Sequence, residues 1–301
     1  MPPILPATEA INPRYRDIDA WDPLSSVQAM WEAQMAAAAA VQPALPALAE
    51  AAAAAAQRLA HDAGRLAYAG AGTSGRIGVQ DGAELPPTFD WPQHRLVLLM
   101  AGGDQAFTRS IENAEDNREA GAQAVATHAI GPQDVVIGTA ASGSTPYTTA
   151  VVAAARARGA LTIGIANSPG GTLLAAAEHP ILVETGAEAI AGSTRMKAGT
   201  AQKIVLNLLS SQIMIQLGRV HLGLMVDMQA RNEKLRLRAL RMLRHLTGEP
   251  DDARLQAALA AADNKVKTAV LIVHGLNRQA AEALLSRSDN RLRLALKEIG
   301  K

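Results

Sequence analysis

Five short apolar runs punctuate the middle of the chain, each followed by glycine or a hydroxyl residue and then by a helical stretch. They are RLAYAG at 65–70, RLVLLMAGG at 95–103, DVVIGTAASG at 134–143, LTIGIANS at 161–168 and HPILVET at 179–185. Runs this short, alternating with helices of ten residues or more, predict parallel strands buried on both faces. The fold class is therefore α/β, a doubly wound parallel sheet, in which ligands bind beyond the carboxyl ends of the strands. Ahead of the sheet the pattern predicts two helices, one from Ser25 to about Ala40 with Ser25 or Ser26 as N-cap, the other from about Pro46 to Ala63. After it come helices from about Lys197 to Leu217, ending at Gly218, and from about Ala230 to Leu246. The second carries RNEKLRLRALRMLRHL, whose cations recur among leucines at helical spacing, the pattern of a solvated face on a packed helix. The turn cluster TGEPDD at 247–252 marks a boundary between an α/β domain with an N-terminal helical arm, 1–248, and a small C-terminal domain, 249–301. The latter reads as three short helices, with breaks near Asn264, His274–Asn277 and Ser288–Asn290.

Composition narrows the function. Of 301 residues, 29 are basic and 28 acidic, and aromatics make up 3%. A net charge of +1 supplies no pull toward nucleic acid, and few rings are available to stack on bases. Much of the apolar content is alanine, as in Ala36–Ala40 and Ala51–Ala56, runs far shorter than the ~20 residues that span a bilayer. The start, MPPILPATEA, lacks the charged and apolar regions of a signal peptide. A soluble, cytoplasmic protein with neither membrane nor nucleic acid as partner is expected. The absence of cysteine excludes a disulfide scaffold, a thiolate nucleophile and a Cys-ligated metal. The seven histidines have no HExxH or paired-ligand spacing, so a metal site is not expected.

Two loops carry candidate chemistry. The first run enters Gly70-Ala-Gly72-Thr73-Ser74-Gly75-Arg76, which fits G-x-G-x-x-G. It fails as a nucleoside triphosphate loop, because Arg76 stands where lysine is needed and Ile77 where a hydroxyl should hold magnesium. The third run ends in Ala140-Ala141-Ser142-Gly143-Ser144-Thr145-Pro146, with Pro146 placed to open a helix. Either loop alone reads as an ordinary strand-to-helix turn. Together, small residues, hydroxyls and two helix N-termini suit one compact phosphate monoester better than an extended pyrophosphate.

The strings GAGTSGR…ELPPTF, AGG…IENAEDN, AASGSTPYT, GSTRMKAGTAQK and LMVDMQARNEKL resemble the N-acetylmuramic acid 6-phosphate etherases of the sugar isomerase (SIS) superfamily. The likeness extends from Thr8-Glu9…Asn12-Pro13 to about Ala239 and is weaker in the tail. Two departures are Ser144, where the family has arginine, and DGAELPP in place of DASECPP. The resemblance implies a phosphosugar-binding sheet, a homodimer with its site near the subunit interface, and a lyase reaction. N-acetylmuramic acid 6-phosphate and water would give N-acetylglucosamine 6-phosphate and D-lactate, in recycling of cell-wall sugar. It also implies that Glu84 and Glu115 are the acid/base catalysts, Glu84 donating to the departing lactate. Thr73, Ser74, Gly75, Ser142, Gly143 and Thr145 would hold the phosphate.

By position alone, Glu115 is a solvated acidic helix start. Glu84 stands just before Leu85-Pro86-Pro87, where the helix from the first loop is expected to end. Ten residues of helix put it ~15 Å beyond Ser74, further than one hexose phosphate reaches, so a second subunit or a bend is needed to bring it to the site. In Gly192–Lys197 the hydroxyls could cap the next helix, or Ser193, Arg195 or Lys197 could contact the substrate, with Glu188 joining them or pairing with Arg195. A phosphosugar isomerase would share the anchor and base without releasing lactate. A phosphosugar-sensing regulator would carry a DNA-binding motif or an inserted partner surface, and neither is present in the sequence.

Overall fold

A computed structural model of the chain describes residues 6–60, 63–229 and 233–301. By compactness the chain divides into two units, one reaching to Gly82 and resuming over His94–Gln212, the other formed by Ala83–Gln93 and Ile213–Lys301.

The first unit is built on a five-stranded sheet, β1 Leu66–Gly70, β2 Leu96–Met100, β3 Val135–Ala140, β4 Leu161–Ala166 and β5 His179–Leu182. All pairings are parallel and the order is β2-β1-β3-β4-β5. Each of the five apolar runs therefore forms a strand, and every residue of β1, β3 and β4 is buried. The chain leaves β1 for β2 on one side and returns to β3 on the other, so the order reverses between β1 and β3. Where the order reverses, the two strand-to-helix loops diverge and leave a crevice.

Helices α1 Pro23–Ala39 and α2 Leu45–Leu59 precede the sheet. The N-cap of α1 is Asp22 rather than Ser25 or Ser26: its carboxylate accepts the Leu24 and Ser25 N–H groups, and Pro23 occupies the first helical position. The alanine run of α2 has a structural purpose. Ala51, Ala52, Ala55 and Ala56 are buried with Leu48 and Leu59, and the small side chains let α2 pack closely on β3, β4 and β5. Helices α3 Gly72–Phe89, α4 Arg118–Thr127, α5 Pro146–Ala157, α6 Thr172–Ala176 and α7 Lys197–Gln216 follow the strands. Tyr68 of β1 donates its buried hydroxyl to Asp81 Oδ2 at 2.8 Å, which fixes α3 against its own strand.

The second unit contains the last part of α3, the short strands β6 Val220–His221 and β7 Leu224–Met225, and helices α8 Glu233–Thr247, α9 Asp252–Ala261, α10 Val266–Val273, α11 Arg278–Arg287 and α12 Leu292–Glu298. Helix α3 does not stop before the prolines but continues through Pro86 and Pro87. Interior prolines cost a helix ~3 kcal/mol. Here the terminal carbonyls are capped, Pro86 O by the Asp90 N–H at 3.0 Å and Phe89 O by Arg219 Nη1 at 2.6 Å. The Arg219 guanidinium also lies 5.2 Å from the Trp91 ring centroid. In α8, Ala239, Met242 and Leu243 are buried while Arg236, Arg238, Arg241 and Arg244 face water, as its periodicity predicts. The predicted start of this helix, at Ala230, lies outside the described residues. Residues 249–301 hold four helices, not three. Each break has its own left-handed residues, Asp263 and Asn264, Gly275, and Asp289 and Asn290, so each ends a helix instead of kinking it. Leu255, Leu259, Val270, Leu284 and Leu292 form the core between them. No described helix is long and apolar enough to cross a membrane.

Candidate active site

The crevice between the ends of β1 and β3 is a cavity of about 430 Å³, a size common among small-molecule sites. Its first wall is the start of α3. A side chain at Gly70 would sit 2.7 Å from Gly75 Cα, so the glycine pair alone lets the strand turn directly into the helix. Thr73 and Ser74 consequently reach the cavity, while Gly75 is packed behind them, its N–H donated to Ala71 O. Arg76 turns away. It donates to Ala106 O and Arg109 O and so ties the loop after β2 to α3.

The second wall is the loop after β3. Gly143 takes φ +70, with its Cα face against Ala166 and Gly171, and its carbonyl accepts the Leu173 N–H at 2.8 Å. Ser142, Ser144 and Thr145 line the cavity from this loop. The Ser142 hydroxyl oxygen accepts the Ser144 N–H at 3.2 Å, which leaves its O–H to donate elsewhere. Thr145 occupies the N-cap position of α5 but makes no side-chain capping bond, so its hydroxyl too is uncommitted. Both loops therefore present neutral donors to the same space.

Glu115 also lines the cavity. It sits in a turn ahead of α4, not on the helix, and its carbonyl accepts the Tyr147 N–H at 2.9 Å. That bond couples the carboxylate to the start of α5 and hence to the second loop. Glu84 is not among the cavity-lining residues. It is exposed, ten residues along α3 from Ser74, ~15 Å at helical rise.

Loop 186–196 completes the enclosure through Gly192 and Thr194. Ser193 and Arg195 do not line the cavity. Glu188 and Lys197 are committed elsewhere: Glu188 Oε2 accepts the Lys197 N–H at 2.8 Å and Oε1 the Ala198 N–H at 2.9 Å, capping α7 from ten residues upstream. Lys197 Nζ donates to Ala187 O at 3.0 Å. Burial pushes the Glu188 carboxyl above its ordinary value, against the two backbone N–H bonds and the Lys197 charge, and burial likewise lowers the Lys197 ammonium. Glu188 thus makes no pair with Arg195.

Glu9, Asp116, Gly192 and Thr194 also line the cavity; the sequence motifs contain all four but assign none of them to the substrate. Glu9 lies far from the others along the chain and belongs to no periodic pattern, so its only signal is its place in the Thr8-Glu9 string that opens the likeness. No lysine or arginine lines the cavity among the described residues. With serine at 144, the charge of a bound anion would be met by hydroxyls, backbone N–H groups and helix N-termini.

The chain is 48% identical to the N-acetylmuramic acid 6-phosphate etherase of Deinococcus radiodurans over 97% of its own length and 95% of that protein. The figures are 47%, 96% and 93% for the etherase of Streptomyces avermitilis. For that of Cronobacter sakazakii they are 43%, 96% and 97%. Residues 107–211 match the family described as SIS domain, and 47–156 the family described as glucokinase regulatory protein N-terminal SIS domain. Among solved structures, a phosphoheptose isomerase from Francisella tularensis aligns with a TM-score of 0.47 at 19% identity, covering 65% of this chain and 100% of the other. With nearly half its residues shared along almost the whole of both chains, the protein belongs to the N-acetylmuramic acid 6-phosphate etherase family.

Proposed function

We propose that this chain cleaves the lactyl ether of N-acetylmuramic acid 6-phosphate, releasing D-lactate and N-acetylglucosamine 6-phosphate, in cytoplasmic recycling of cell-wall sugar. The observation that carries this reading is the meeting of a carboxylate, Glu115, with two hydroxyl-bearing loops in one cavity at the point where the strand order reverses. Thr73, Ser74, Ser142 and Thr145 bind the 6-phosphate, with the backbone of Gly75 and Gly143 setting the loop shape. A simple ether resists hydrolysis, but this one lies β to a masked aldehyde. In the ring-opened sugar the carbonyl at carbon 1 acidifies the proton on carbon 2. Its removal expels lactate from carbon 3, and water adds to the resulting unsaturated aldehyde. These steps need a base, an acid and an anion anchor.

Glu115 is one proton-transfer group. Glu84, as donor to the departing lactate, is the other, and its exposed position on α3 suits a cavity completed by a second copy of the chain. A homodimer is supported by α1, whose Leu24, Val27, Trp31 and Met35 form an apolar row more than half exposed, opposite the buried Ala29, Ala33 and Ala37. Ser193 and Arg195 meet the lactyl carboxylate in this reading, which rests on the family resemblance and on their being next to the lining Gly192 and Thr194. Incubation with N-acetylmuramic acid 6-phosphate while D-lactate is assayed tests the reading. Release of D-lactate supports it; conversion of a sugar phosphate to an isomer without lactate would replace it with an isomerase.

A further inference from the structure

We infer that Glu9 is a specificity-determining residue that contacts the substrate, its carboxylate accepting hydrogen bonds from the hydroxyl and amide N–H groups of the bound amino sugar. The inference rests on the phosphosugar reading of the cavity and adds to it a residue from the N-terminal arm.

Thr8 fixes the arm. It is fully buried, its carbonyl accepts the Gly192 N–H at 3.3 Å, and its hydroxyl lies 3.5 Å from that of Ser168, just past β4. The next residue, Glu9, is exposed and lines the same cavity as Ser74, Ser142, Thr145 and Glu115. Its carboxylate makes no hydrogen bond or ion pair among the described residues, so no cation or N–H of the wall occupies it. Gly192 keeps room for it: the residue is at φ +74, and a Cβ there would lie 2.9 Å from Glu9 Oε2. A buried threonine thus anchors the arm, and a glycine clears the space into which the following carboxylate projects.

The chemistry follows from donor and acceptor counts. The two strand-to-helix loops offer hydroxyls and backbone N–H groups, which suit an anion, while Glu115 and Asp116 line the cavity from the turn ahead of α4. A carboxylate only accepts, and it repels phosphate. Glu9 therefore cannot share the anion's position and must meet the part of the ligand that carries donors and no negative charge. An amino-sugar phosphate has such a part, the chain of hydroxyls and the acetamido N–H between the phosphate and carbon 1. Inorganic phosphate does not. Glu9 thus separates ligands that merely carry phosphate from those that also present a polyol.

The test uses the full chain with Glu9→Ala and Glu9→Gln. Losing hydrogen bonds to a charged acceptor should raise KM for N-acetylmuramic acid 6-phosphate about ten- to a hundredfold in the alanine variant, with kcat within about threefold. Glutamine, which keeps one acceptor oxygen, should fall between. The melting temperature should be unchanged, and inorganic phosphate should bind as tightly or more tightly. A KM within about twofold of the parent in both variants would overturn the assignment, given the size of a charged hydrogen bond. So would a loss confined to kcat, or a parallel loss of phosphate affinity, which would make the arm a support for the phosphate loops. If the parent protein releases no D-lactate, the etherase reading fails by itself. Calorimetric affinities of parent and Glu9→Ala for N-acetylglucosamine 6-phosphate then decide the role of Glu9 by the same fold-change.

Discussion

Ser142 gives its oxygen lone pair to the Ser144 N–H and keeps its own proton for a ligand, which makes it a clean test of the anion site. Ser142→Ala should cost about 1.5–3 kcal/mol of sugar-phosphate binding, a loss of roughly ten- to over a hundredfold, with little change in kcat. Calorimetry that returned parent affinity would remove Ser142 from the phosphate site. Glu115→Gln and Glu84→Gln should fold and bind, yet each should lose about 100-fold or more of D-lactate release. In deuterated solvent the variant that still exchanges the carbon 2 proton has kept the base. Near-parent turnover in either variant would make that glutamate a surface residue. The hydroxyl loops were legible because each follows a recognisable strand, whereas Glu115 was marked only by the family resemblance, its position alone reading as a solvated helix start. Glu9 stood in the string that opens the likeness, but its place in the cavity was not legible, since its approach to Gly192 is a contact between distant parts of the chain. Glu188 was legible as a neighbour of the GSTRMK segment but not in its use. Two carboxylate oxygens meeting two consecutive N–H groups is a geometry that no spacing reveals.

That cap matters because α7 starts where loop 186–196 leaves the cavity. Glu188→Ala leaves the Lys197 and Ala198 N–H groups without their acceptor and should destabilise the fold by about 1–2 kcal/mol. The pH dependence has a definite sign. Because burial raises the folded-state pKa of Glu188 above its unfolded value, its contribution to stability is full below the unfolded pKa and is lost as pH rises through the folded one. The stability of the parent relative to Glu188→Gln, read from urea midpoints, should therefore decline as the pH rises above the ordinary carboxylate range. A difference that grows instead would contradict the burial argument. Strands were the most legible elements, because burial on both faces writes a run of apolar residues directly into the sequence. Helix ends were less so. The α3 prolines read as a stop, but the helix runs on to Phe89, where Arg219, a residue far along the chain, caps the last carbonyl.

Within the second unit, Asp227 and Lys267 form a nearly buried pair at 2.7 Å, with Arg219 Nη1 3.6 Å from the other carboxylate oxygen. Burial raises the Asp227 pKa and lowers that of Lys267, each partly offset by the other's charge. Lys267→Met alone should destabilise by about 3 kcal/mol, because it leaves the nearly buried Asp227 with Arg219 alone, 3.6 Å away, as its counter-charge. Adding Asp227→Leu should recover most of that loss, as measured by denaturant unfolding. If the double variant is no more stable than the single one, the pair supplies more than mutual compensation. The apolar row on α1 makes a separate prediction. Trp31→Glu should weaken a homodimer, give monomers by light scattering at micromolar concentration, and reduce lactate release if Glu84 acts in the partner's cavity. A parent protein that is monomeric and fully active would dispose of the shared site.

The chemistry itself is decided by where the oxygen of water goes. Turnover of N-acetylmuramic acid 6-phosphate in water enriched in heavy oxygen, followed by mass analysis of both products, separates elimination and hydration from direct attack on the lactyl group. The expected result is unlabelled D-lactate together with label at carbon 3 of N-acetylglucosamine 6-phosphate. Label in the lactate hydroxyl, or no lactate at all, would contradict it.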